Sequence, residues 1–216
     1  MAVLFAAGCA NSEPGDLDLT AGAPESIILL KTKVFPGEYW LNLSSFDESH
    51  GLLTSSLFEG GRGNFVSQYG QNYLAEKIKP GTYVFTGIMQ SAWTNCFQDS
   101  TWRFTVEPGT VLYLGEFDPA PALLDMQKKA VTRGETTSIN NRLYFYFDNV
   151  PTPSFSFGAD RGQALAQAQT YVKTQMPKVT APVKLVDYAP AKFGTGTDAF
   201  GLKRVCGGYY KEPRKD

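Results

Sequence analysis

Side chains able to do covalent or acid–base work are scarce in this 216-residue chain, and the scarcity narrows the chemistry it can perform. A Ser-His-Asp or Cys-His site needs an imidazole to carry the proton between nucleophile and substrate. His50 is the only histidine, and it sits in Asp47-Glu48-Ser49-His50-Gly51, a polar run of the kind that makes a turn between strands. It is therefore expected in an exposed loop. The sequence has no Gly-x-Ser-x-Gly elbow, His-Glu-x-x-His helix, Cys-x-x-Cys pair or phosphate loop ending in Lys-Ser/Thr. Glu59-Gly60-Gly61-Arg62-Gly63-Asn64 lacks that ending, and it reads as a flexible hairpin loop in preference to an anion site built on Arg62. Glu107, Glu116 and Asp118 lie near strand ends. Two acids roughly 5 to 10 Å apart are enough to hydrolyse a glycosidic bond, but nothing in the spacing of these three makes them converge. No catalytic residue, metal site or cofactor is expected.

The three cysteines carry more information. Met1-Ala2-Val3-Leu4-Phe5-Ala6-Ala7-Gly8-Cys9 is a short apolar run closing on small residues and a thiol. A signal peptidase acting before a lipidated cysteine needs small side chains at the scissile bond. The run resembles the bacterial lipobox, with Ala6 where Leu is usual, and this resemblance implies lipidation at Cys9. No Lys or Arg precedes it, so a start codon upstream of Met1 is expected. Ala10, and not Asp, follows the cysteine. For a lipoprotein of a Gram-negative cell that implies the outer membrane, on its periplasmic side. Residues 1–8 are thus read as a remnant signal peptide, and residues 9–25, rich in Ser, Pro, Gly, Asp and Thr, as the lipidated cysteine and a flexible tether. Cys96 and Cys206 remain, an even pair that an oxidising compartment turns into a disulfide. The alternative is two unpaired thiols.

Composition fixes the broad class. With 43% hydrophobic residues the chain can bury a sizeable core. Its 20 basic and 21 acidic residues are interspersed, without a basic stripe, so nucleic acid is not an expected partner. No apolar run approaches the ~18 residues that would span a bilayer, which leaves the lipid as the membrane attachment.

The elements that must hold these residues have a period of two. Trp102, Phe104 and Val106 alternate with Thr101, Arg103, Thr105 and Glu107, and Tyr39, Leu41 and Leu43 alternate with Trp40, Asn42 and Ser44. Further strands are expected over 26–34, 52–58, 82–89, 111–117, 142–147 and 183–188. Pro36-Gly37-Glu38-Tyr39, Pro80-Gly81-Thr82-Tyr83 and Pro108-Gly109-Thr110-Val111 each place Pro where φ is preset and Gly where φ must be positive, the arrangement of a type II turn. These Pro-Gly elements resemble those of bacterial lipoproteins with a transthyretin-like or carboxypeptidase-regulatory-like sandwich. That resemblance covers roughly residues 26–117 and implies a small antiparallel, Greek-key-like fold with no catalytic residues to carry over.

One helix is clear. Asp160 can cap it, Gln163 stands at the capping-box position, Ala164, Leu165, Ala168, Val172 and Met176 recur at helical spacing, and Pro177 ends it. Its Leu165/Val172/Met176 stripe is expected to face the core. Leu123 to Met126 could begin a short helix, and residues 192–210 read as an irregular tail. The expected fold is mainly β, an antiparallel β-sandwich over 26–150, with one C-terminal helix and a tail from 151–216 packed on it. Trp40, Trp93 and Arg62 form the expected ligand or partner surface. The function read from these features is a noncatalytic, lipid-anchored envelope protein with a structural or protein-binding role. A glycan- or small-molecule-binding module is the alternative, and a carboxylate-dependent hydrolase is weaker still.

Overall fold

Alternating apolar runs form the strands expected of them, and where a strand has cover on both faces the alternation gives way to an unbroken apolar run. The computed structural model describes residues 13–54, 62–67, 72–91, 93–132, 145–147, 150–194, 204–205 and 208–209. In chain order the strands are β1 (Ser26–Thr32), β2 (Tyr39–Asp47), β3 (Leu52–Leu53), β4 (Arg62–Ser67), β5 (Tyr73–Ile78), β6 (Gly81–Gln90), β7 (Trp93–Cys96), β8 (Thr101–Val106) and β9 (Val111–Asp118). Helix α1 (Ala120–Thr132) follows, then β10 (Phe145–Phe147), β11 (Ser154–Ser156), helix α2 (Arg161–Gln175), β12 (Val183–Leu185), β13 (Ala189–Ala191), β14 (Arg204–Val205) and β15 (Gly208–Tyr209).

Two sheets make the sandwich. The larger has β2 and β6 at its centre, with β3 and β4 on the outer edge of β2. On the far edge of β6 lie β7 and β8, which β10 and β13 extend. The smaller runs β11-β9-β1-β5, and β12 shares with β11 the edge of β9. A short β14–β15 pair stands apart from both. The sandwich with a C-terminal helix is as expected. Within the smaller sheet, however, β1 and β12 both run parallel to β9, so that sheet is mixed and not wholly antiparallel. Parallel neighbours need a long crossover, and the chain between β1 and β9 supplies it by building most of the larger sheet on the way. Residues 151–216 are likewise more than a covering, because they contribute β11, β12 and β13.

Between the sheets lies the main core, with Ile28, Leu30, Tyr39, Leu41, Phe85 and Phe104 among its members. Ile27 and Leu29 point the other way, into a second cluster beneath α2. That two-sided burial explains Ile27-Ile28-Leu29-Leu30, all 0% exposed. Asp160 caps α2 by accepting a hydrogen bond from the Gly162 N–H at 2.7 Å. The buried face is Ala164, Ala168 and Val172, with Met176 at the end, and Leu165 is only half-buried. Small alanines let the helix lie close on the sheet; of the expected Leu165/Val172/Met176 stripe, Val172 and Met176 are buried, and Ala164 takes the place of Leu165. The second helix, α1, is longer than the sequence suggested. Asp118 accepts a hydrogen bond from the Ala120 N–H at its start, and Ala122, Leu123, Met126 and Ala130 enter the main core.

The segment before β1 corrects the tether. Leu17 and Leu19 are buried in the α2 cluster, and the Leu19 carbonyl accepts from the Thr180 N–H at 2.8 Å. Two leucines at i and i+2 in an otherwise polar stretch are enough to seat it, so the chain belongs to the packed domain from Glu13 onward. All three turn glycines take positive φ, 91° at Gly37, 150° at Gly81 and 63° at Gly109. Gly81 is already the first residue of β6.

Candidate functional site

The expected ligand surface does not assemble. Trp40 is in register with Met89, and Trp93 with Gln90. Those are successive positions of β6, and successive side chains of a strand point to opposite faces. The two indoles therefore lie on opposite sides of the larger sheet and cannot form one platform. Both are half-buried, and Trp93 stacks on Phe147 with centroids 5.5 Å apart and planes 10° from parallel. Arg62 begins β4 opposite Ser44. Residues 62–64 are thus strand and not hairpin loop, because the β-branched and aromatic stretch that follows carries the pairing with β2 back through them. Residues 59–61 lie outside the described residues.

The acids do not converge either. Glu107 pairs with Lys184 at one end of β9, while Glu116 and Asp118 pair with Lys31 and Lys33 at the other. Nearly the length of the strand, roughly 20 Å at a strand's rise, separates the two groups. His50 is exposed, as expected. Asp47 accepts from the Ser49 N–H and hydroxyl at 2.9 and 2.5 Å and contacts His50 Nδ1 at 2.6 Å. These bonds hold the Asp47 carboxyl down to about 2. Ser49 and Asp47 both meet the same ring nitrogen, so the imidazole cannot relay a proton from one to the other. The group is a hydrogen-bonded turn. Among the described residues no cluster of three or more His, Cys, Asp or Glu side chains could hold a metal ion.

Two concave places lie at opposite edges of the smaller sheet. One, of about 290 Å³, opens where the β8–β13 pair of the larger sheet parts from the β9–β12 pair of the smaller. Buried Phe104 and Leu112 reach it from the core, with Leu185 beside them. Charges of both signs ring the opening, and each has a partner: Lys184 with Glu107, Asp187 with Arg161, and Arg103 with Glu48. The other, of about 630 Å³, lies beside β5 and the C-terminal turn of α2. Tyr73 and Tyr171 line it with Glu13, Asn72, Thr174 and Gln175. Lys184, Asp187 and the tyrosine pair were not legible as site residues. Only the fold brings β12 to β9 and α2 to β5.

Cys96 is buried beside Phe46, Val84 and Phe193 on the outer face of the larger sheet. Cys206 and Cys9 lie outside the described residues.

Geometry thus defines a mainly β sandwich with clefts at its edges and no assembled catalytic group among the described residues. No protein-family model, curated protein or solved structure matches the chain.

Proposed function

We propose that this chain is a noncatalytic protein of the bacterial envelope, lipid-anchored through Cys9 on the periplasmic side of the outer membrane, that holds a partner protein at the cleft between β8 and β12. The observation that carries the binding role is the cleft itself: an apolar base rimmed by already paired charges of both signs. Such a rim suits a protein segment that offers one apolar side chain amid mixed charge, and it lacks the unpaired, shifted titratable groups that chemistry requires. The small residues before Cys9 support the anchor, and the pair Cys96 and Cys206 that remains suits an oxidising compartment. The partner of Cys96 in this reading is Cys206.

Intact mass of protein expressed from the upstream in-frame start tests the anchor. Acyl mass on a chain beginning at Cys9 is expected, together with release of Cys9→Ser into the soluble fraction. A photo-crosslinking residue at Ala189, within the cleft, tests the partner against one at exposed Lys173 of α2. A discrete adduct at Ala189 that Leu185→Asp abolishes is expected. Equal labelling at both positions overturns the cleft.

One observation favours the glycan or small-molecule alternative, the tyrosine-lined groove at β5. Phenol faces flanked by amides and a hydroxyl suit sugar rings. Quenching of tyrosine fluorescence by soluble oligosaccharides, lost in Tyr171→Ala, would move the assignment there.

A further inference from the structure

The described chain begins close to the proposed anchor. Only residues 10–12 separate Cys9 from Glu13, and a fully extended chain covers at most roughly 14 Å between those two Cα atoms. A chain of this length folds to a radius of gyration of roughly 17 Å, so the link is shorter than the domain is wide. Nor is there a hinge just beyond it. Pro14–Asp16 forms a turn of 3-10 helix against the end of α2, where Asp16 meets Lys178 at 3.6 Å, and Leu17 and Leu19 are buried directly after it.

We propose that the protein's own membrane lies against the end of the domain formed by residues 13–16, the C-terminal turn of α2 and the start of β5, so that the cleft between β8 and β12 faces away from it. This rests on the reading of Cys9 as the lipidated residue. The surface around Glu13 suits the headgroup region. Tyr73 and Tyr171 are half-buried amphipathic rings, of the kind that sit where apolar and wet surroundings meet. Asn72, Thr174 and Gln175 beside them are neutral. The carboxylates here are Glu13, which lines the groove and acts on the Tyr171 phenol, and Asp16 and Asp18, which are paired with Lys178 and Lys77. Lys77 and Lys178 on this face are engaged by carboxylates, so the short link supplies the contact and the face alone does not bind. The cleft is on the other edge of the smaller sheet, where β12 is three strand spacings from β5, roughly 14 Å further from the anchor. A partner can then reach the cleft without meeting the bilayer.

The test uses full-length lipidated protein in vesicles of phosphatidylethanolamine and phosphatidylglycerol that carry headgroup spin-labelled lipid. A genetically encoded fluorescent amino acid is placed at exposed Thr174 in one sample and at exposed Asp187 in the other. Loss of most of the emission at Thr174, with emission at Asp187 unchanged from unlabelled vesicles, is expected. Gln175 serves as the second position if the Thr174 substitution unfolds the chain. In acylated protein that floats with the vesicles, equal quenching at both positions, stronger quenching at Asp187 or quenching at neither overturns the orientation and leaves the anchor standing. A chain without acyl mass that fails to float overturns the anchor, and the orientation with it.

Discussion

Tyr73 and Tyr171 lie ring on ring, with centroids 4.0 Å apart and planes 19° from parallel. The contact ties the edge strand of the smaller sheet to the last turns of α2, and Tyr113 extends it inward at 6.5 Å from Tyr73. Burial raises the phenol pKa of Tyr171 and Tyr73, so both rings stay neutral under ordinary conditions. Tyr171→Ala is expected to cost about 2 to 4 kcal/mol, the lost stack together with the unfilled space. Tyr171→Phe keeps the ring and should cost under about 1 kcal/mol. Urea unfolding of the two variants checks the difference, and equal losses would mean that the hydroxyl and not the stack matters.

Glu76 is a carboxylate turned toward the main core. It shares the inward face of β5 with Leu74 and Ile78 and stands opposite Ile28. Burial pushes its carboxyl up from 4.5 to about 7. A raised acid pKa means that the folded form holds the proton more tightly, so stability falls as pH rises from about 4.5 to about 7 and then levels off. Because the group keeps some solvent, Glu76→Gln should add only about 1 to 2 kcal/mol at pH 8 and almost nothing at pH 4. Denaturation at the two pH values reads this directly, and a gain of the same size at both would sink the burial account. An inward charge on an edge strand also discourages pairing with another chain.

Gly109 has φ of 63°, and a Cβ added there would stand 2.2 Å from the Ala21 carbonyl oxygen. Strain of about 1 kcal/mol from the left-handed backbone and a clash with main chain that cannot swing aside act together. Gly109→Ala is expected to lower stability by more than 2 kcal/mol, on the order seen for overpacked sites. Gly22→Ala, where nothing lies within 4 Å of the added carbon, is the matched control. Thermal melts of the pair should separate clearly.

The proposed Cys96–Cys206 bond closes a loop of about 110 residues, worth ~4 to 5 kcal/mol in the chain-entropy model. Reduction, Cys96→Ser and Cys206→Ser should lower the unfolding midpoint by similar amounts, apart from a small packing loss at buried Cys96. A Cys206→Ser protein as stable as the parent would overturn the pairing.

How much of this was legible in the residues depended on whether a strand had one neighbour or two. β2 and β8 present one buried face, and their alternation located them to within a few residues. β5 was missed. Its Tyr73-Leu74-Ala75-Glu76-Lys77-Ile78 is made largely of good helix formers, and Leu74 and Ala75 are both buried because the strand packs on both faces. β4 was missed for another reason, since its first residues belong to a glycine-rich run that reads as a loop until β2 is known to pair with it. The clefts were illegible because each joins residues about a hundred positions apart, as Tyr73 and Tyr171 do. Lys184 and Glu107 are similarly remote. Spacing in one sequence carries no trace of such pairs.

The parallel pairing of β1 with β9 also governs the order in which the protein can be made. β1 is central to its sheet, yet Ile27 finds Val111 only when more than half the chain has been synthesised, and α2 must follow before Ile27 and Leu29 are covered. Contacts this remote are slow to form, because the intervening chain must be closed into a loop first. A polypeptide threaded N-terminus first through a narrow translocation channel would therefore emerge with its most apolar strand waiting for partners. For most of such a passage it would stay unfolded enough to be threaded.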